Sequence, residues 1–140
     1  MGMVPPPSTG PDFASAVLAL DLASNMLDQA KEKFERGDFA GSMEDSRNAV
    51  RVATSAILFK DGFVSDSFES TLNHLLKNYP GAFPLEEWRK LEISAPENGY
   101  GLYHMMVVAL RMVKKADEDE AGKAIAIAAM FINSARAEMG

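Results

Sequence analysis

From Asp12 onward the apolar residues fall at steps of four and three: Ala16, Leu20, Ala23, Leu27, Ala30 and Phe34. That spacing lines one stripe of an α-helix and matches no face of a strand. The stripe stops at Gly37, a residue suited to the left-handed position just past a helix end. Asp38 follows at once and can cap the next helix. A stop and a start this close together require an antiparallel helical hairpin. Whatever else the chain does, it must bury these stripes against further helices.

The second helix of the hairpin carries Phe39, Met43, Ser46, Val50, Ala53 and Ile57 on one face and Ala49, Val52 and Ala56 on another. Two apolar faces predict an inner helix. Between them runs a polar stripe of Glu44, Arg47, Asn48, Arg51 and Ser55, and Lys60-Asp61-Gly62 closes the helix. Asp66 with Glu69 three residues later reads as a capping box for a third helix holding Phe68, Leu72, Leu75 and Leu76. Pro80 and Gly81 end it. Pro84, Glu86 and Glu87 suit the first turn of a short fourth helix anchored by Trp88 and Leu91. A further helix is predicted over about 100–116, through Tyr103, Met106, Val107, Leu110 and Val113. Asp117 and Glu120 then read as a second capping box for an alanine-rich last helix. Nothing alternates with period two over a useful length. The expected fold is therefore all-α, an antiparallel bundle of five or six helices forming one domain over 12–140. The Pro-rich residues 1–11 read as a disordered tail, not as a secretory signal, since they lack a basic start and an apolar run.

Composition narrows the functional classes. The 140 residues include no cysteine, which removes disulfides and thiolate metal sites and suits a reducing, cytoplasmic setting. Net charge is −6, against the broad phosphate neutralisation that general nucleic-acid coating requires. No apolar run approaches the roughly 20 residues that span a bilayer, so no membrane role is expected. The acidic run 117–120 is accounted for by helix capping, and neither a metal nor a cofactor is expected. Gly-rich phosphate loops, nucleophile elbows and zincin motifs are absent.

The order of elements resembles the HEPN domain family, named for higher eukaryotes and prokaryotes nucleotide-binding. The resembling residues are Ala30-Lys31-Glu32-Lys33-Phe34-Glu35-Arg36-Gly37-Asp38-Phe39-Ala40, followed by Ser46-Arg47-Asn48-Ala49-Val50-Arg51-Val52-Ala53-Thr54-Ser55-Ala56-Ile57-Leu58. They look like the family's first helical hairpin. Leu72-Asn73-His74-Leu75-Leu76 looks like its short middle helix, and Tyr103 with 118–131 looks like its last two helices. The resemblance spans about 12–139 and rests on helical patterns. It implies a helical bundle that is commonly a homodimer. Some members are ribonuclease toxins, and others bind small nucleotidyltransferases.

The ribonuclease members carry an Arg with a His a few residues beyond it. Here Asn98 and His104 are suitably placed, but Glu97 stands where the Arg would be expected. A carboxylate there repels the phosphate that an Arg would hold. The expectation is a non-catalytic, homodimeric binding module that docks a nucleotide, an RNA or a partner nucleotidyltransferase. Its candidate binding residues are Arg47, Asn48, Arg51, Asn98, Tyr100, His104 and Arg111. Two alternatives stand beside it. One is a weak, metal-independent, toxin-like ribonuclease using His104 and Asn98 with Arg51 or Arg111. The other is a general helical protein-interaction domain. His74, between Leu72 and Leu75, reads as structural.

Overall fold

A computed structural model describes residues 10–94 and 114–139. The described residues form five helices and no strand: α1 (Phe13–Glu35), α2 (Phe39–Asp61), α3 (Phe68–Asn78), α4 (Leu85–Ile93) and α5 (Lys114–Met139). The segment expected to be disordered falls largely on 1–9, and the helix expected over 100–116 falls largely on 95–113. Both lie outside the described residues.

The hairpin forms where its punctuation places it. Asp12 caps α1 by accepting from the Ser15 amide at 3.0 Å, and Asp38 caps α2 by accepting from the Gly41 amide at 3.0 Å. Gly37 takes φ 81 in the turn between them. At position 41 a Cβ would run into the Asp38 carboxylate as it sits here, so a larger residue would require that side chain to shift. At the other end of the pair, the Asp12 amide donates to the Phe59 carbonyl at 2.7 Å and ties the start of α1 to the end of α2.

α2 is the inner helix, packed against α1, α4 and α5. The seams are made of small residues. Ala16, Ala23 and Ala30 of α1, Ala49, Ala53 and Ala56 of α2, and Ala121, Ala124, Ala128 and Ala135 of α5 are all buried. Their spacings of three, four and seven are those of a coiled-coil seam, and alanine lets the backbones approach closely. Gly122 near the start of α5 faces the Phe34 ring near the end of α1, while Arg136 near the end of α5 reaches Ser24 Oγ at 2.6 Å. α5 therefore runs antiparallel to α1. Ser42 Oγ, fully buried, donates to the Ala30 carbonyl at 2.8 Å across the hairpin.

An aromatic cluster docks α3 and α4 onto this three-helix unit. Phe131 of α5 is fully buried and meets both Phe83 and Trp88, with ring centroids 5.3 and 5.4 Å apart. Trp88 in turn meets Phe68 edge-on at 4.7 Å.

Two boundaries differ from the sequence expectation. The α3 cap is Ser67, not Asp66: Ser67 is extended, and its hydroxyl accepts from the Ser70 amide at 3.0 Å. α5 is described from Lys114 onward, so Asp117 lies inside the helix and not at its N-cap. Lys114, Lys115 and Ala116 contain no glycine or proline, so nothing in their backbones stops the helix from extending back through them.

Candidate functional site

The sequence-predicted binding residues divide in two. Asn98, Tyr100, His104 and Arg111 lie outside the described residues, as does Glu97. Arg47, Asn48 and Arg51 share one face of α2, as their spacing requires. Arg47 is buried there, at 7% exposure. Arg51 makes a two-pronged ion pair with Glu92 of α4: Nε donates to Oε1 and Nη2 to Oε2, each at 2.9 Å. Its Nη1 donates to Asn48 Oδ1 at 3.3 Å. Trp88 Nε1 donates to the same Glu92 oxygen that takes Arg51 Nε, at 3.3 Å. The fork geometry suits a carboxylate as well as a phosphate, and here a carboxylate occupies it. A phosphate arriving at Arg51 would have to exchange for Glu92, whose side chain is mostly buried.

A second polar cluster joins the end of α2 to α3. Asp61 is its centre. Tyr79 Oη donates to both carboxylate oxygens at 2.6 and 2.7 Å. Lys60 Nζ donates to Asp61 Oδ1 at 3.1 Å and to Tyr79 Oη at 2.9 Å. His74 Nε2 lies 2.8 Å from Asp61 Oδ2, and Asn78 Nδ2 lies 3.2 Å from His74 Nδ1 while also donating to the His74 carbonyl at 2.9 Å. Since an ionised Asp61 only accepts and the Asn78 amide donates, the arrangement fits the tautomer with hydrogen on Nε2. Phe63 stacks on the imidazole at 4.2 Å.

The electrostatics follow from this geometry. Burial pushes the Asp61 carboxyl up, but the hydrogen bonds from Tyr79, His74 and Lys60 outweigh it and hold the group below its ordinary 3.8. Burial, and then the hydrogen bond to the Asp61 carboxylate, raise the Tyr79 phenol. The hydrogen bond to Tyr79, helped by Asp61, raises the Lys60 ammonium. At neutral pH the cluster is thus a carboxylate, an ammonium and a neutral phenol locked together. Neither ring nitrogen of His74 is left open, so a substrate proton has no acceptor there.

Sequence reasoning missed both partnerships. It read Arg51 with Asn48 as candidate binding residues, without the Glu92 partner, and read Lys60-Asp61-Gly62 as a helix stop only. Among the described residues, no three His, Cys, Asp or Glu side chains converge as metal ligands, and no helix is long and apolar enough to cross a membrane. No family model, curated protein or solved structure matches the chain.

Proposed function

We propose that the chain is a non-catalytic helical binding module of HEPN-like arrangement that pairs with a second copy through the outward face of α1. One observation carries this. Opposite its buried stripe, α1 turns Ala14, Leu18, Leu22, Asn25 and Gln29 to solvent, with Leu18 69% and Leu22 48% exposed. These five positions form one row on the helix and hold no charge, in a chain that is 24% charged. A two-fold interface sets each surface against its own copy, so a row of like charges would repel itself. A neutral row with two leucines near its middle does not.

The polar clusters support a binding role over a catalytic one. Arg51 is committed to Glu92, and His74 has both nitrogens engaged. They also favour a protein such as a nucleotidyltransferase over a nucleotide or an RNA as the further partner, because phosphate would compete with a carboxylate already in place.

Light scattering on the chromatographed protein tests the reading. Wild type should run as a dimer, and Leu18→Glu/Leu22→Glu as a folded monomer with unchanged helical circular dichroism. A monomeric wild type at high micromolar concentration, or a double variant that remains dimeric, overturns it.

A further inference from the structure

The groove between α3 and the start of α4 lies outside everything argued so far. It encloses about 400 Å³, within the range of roughly 300–1,000 Å³ usual for ligand clefts. Its apolar lining comes from Leu72 and Phe83, both buried, and from Leu76, which is 61% exposed. Leu76 is unusual for its helix: Leu75 beside it is fully buried, and Leu72 one turn earlier nearly so. The bundle has filled the inner face of α3 and left this leucine at the mouth of the groove.

The rim is acidic. Glu86 and Glu87 are exposed along it. The lining cation Arg89 is paired with Glu69, Nη1 to Oε1 at 2.8 Å, so with Glu86 and Glu87 in the lining the rim is net negative. Glu86 and Glu87 also complement the positive end of α4, and that role is met from the solvent side without closing the groove. An apolar floor beside a net negative rim selects against phosphate-bearing ligands and against acidic surfaces. It suits a segment that places a large apolar side chain in the groove and lysines or arginines beside it.

We propose that this groove docks such a basic, apolar-anchored segment of another protein, independently of whether α1 mediates pairing. A fluorescent peptide with a central Leu-Phe pair between lysines serves as the probe, measured by polarisation against the full chain. Two control peptides replace the Leu-Phe pair by serines, or the lysines by glutamates. Two protein variants, Leu76→Ser and Glu86→Lys/Glu87→Lys, alter exposed positions, and their melting temperatures report that they fold. The lysine peptide should bind wild type, and each control peptide and each variant should weaken binding by about tenfold or more, a difference of roughly 1.4 kcal/mol. Absence of binding overturns the proposal. Equal binding of the serine peptide, or of Leu76→Ser, overturns it too, because either result means only general attraction to an acidic protein. A change of oligomeric state in Leu76→Ser assigns the groove to a second copy and likewise overturns it.

Discussion

Replacing Asp61 by Asn tests the cluster at the α2–α3 junction most directly. The substitution keeps the side-chain shape and removes the charge. An amide oxygen at the Oδ1 position still accepts from Lys60 and Tyr79, but the amide nitrogen then meets the Nε2–H of His74, donor against donor. To accept that hydrogen bond the imidazole must move its hydrogen to Nδ1, which sets Nδ1–H against the Asn78 amide. At least one hydrogen bond to a charged group is lost, worth about 1.5–3 kcal/mol, with a smaller loss where the remaining bonds become neutral. The Asp61 side chain is 17% exposed, so solvent screening removes little of this. The expected destabilisation is about 2–3 kcal/mol at pH 7, or roughly 6–12 °C in melting temperature for a chain of this size. Urea unfolding followed by the fluorescence of Trp88, the one tryptophan, reads it.

The pH dependence supplies the refutation. The native Asp61 carboxyl titrates below its ordinary 3.8. Its contribution is therefore fully present above the unfolded value and is lost as pH falls through the native one. The gap between wild type and Asp61→Asn should be constant from pH 7 to 5 and should begin to close below about pH 4, narrowing further as pH falls through the native value. A variant within about 0.5 kcal/mol of wild type at pH 7 refutes the cluster's energetic role. A gap that persists undiminished at pH 3 shows that packing and not charge carries it.

Two further substitutions test the core. Phe131→Ala removes the ring that joins Phe83 and Trp88 to α5, and should cost about 3–5 kcal/mol while blue-shifted Trp88 emission moves toward red in the native baseline. Ser46→Ala should raise stability by about 1 kcal/mol in the same urea titration, because the fully buried Ser46 hydroxyl has no hydrogen-bond partner among the described residues and its loss removes a desolvation penalty.

How much of this was legible in the sequence depends on the distance over which each feature is decided. The stripe from Ala16 to Ala30 and the caps at Asp12 and Asp38 are local, and they stand where the spacing put them. The α3 cap shows a local pattern with two solutions. Asp66 and Ser67 are both capping residues, and Glu69 favours the first. The hydroxyl of Ser65, 2.6 Å from that of Thr71 and also donating to the Ser67 carbonyl, lies where the chain turns, and Ser67 makes the entry into α3. Asp117 and Glu120 form a capping pattern inside a helix, since α5 already includes Lys114. Of the polar clusters, only the grouping of Asn48 with Arg51 on one helix face could be read. Glu92 is 41 residues from Arg51, and Tyr79 and His74 are 18 and 13 residues from Asp61. Spacing within one helix carries no information about a partner on another.

The alanine seams have a consequence for alignment. Along α1 the buried positions alternate alanine with leucine every few residues, and along α5 they repeat alanine four times. Sliding one helix past another by a heptad would set alanine against alanine again, at little cost in the seam itself. The seams therefore decide that the helices lie close, and they leave open how far along each helix its neighbour sits. That choice falls to a few features that have no duplicate one heptad away. They are the buried hydroxyl of Ser42 on the Ala30 carbonyl, the guanidinium of Arg136 at Ser24, and Phe131 seated between Phe83 and Trp88. The molecule keeps its register by a small set of pins, and a chain stripped of them would still make helices that pack, in more than one alignment.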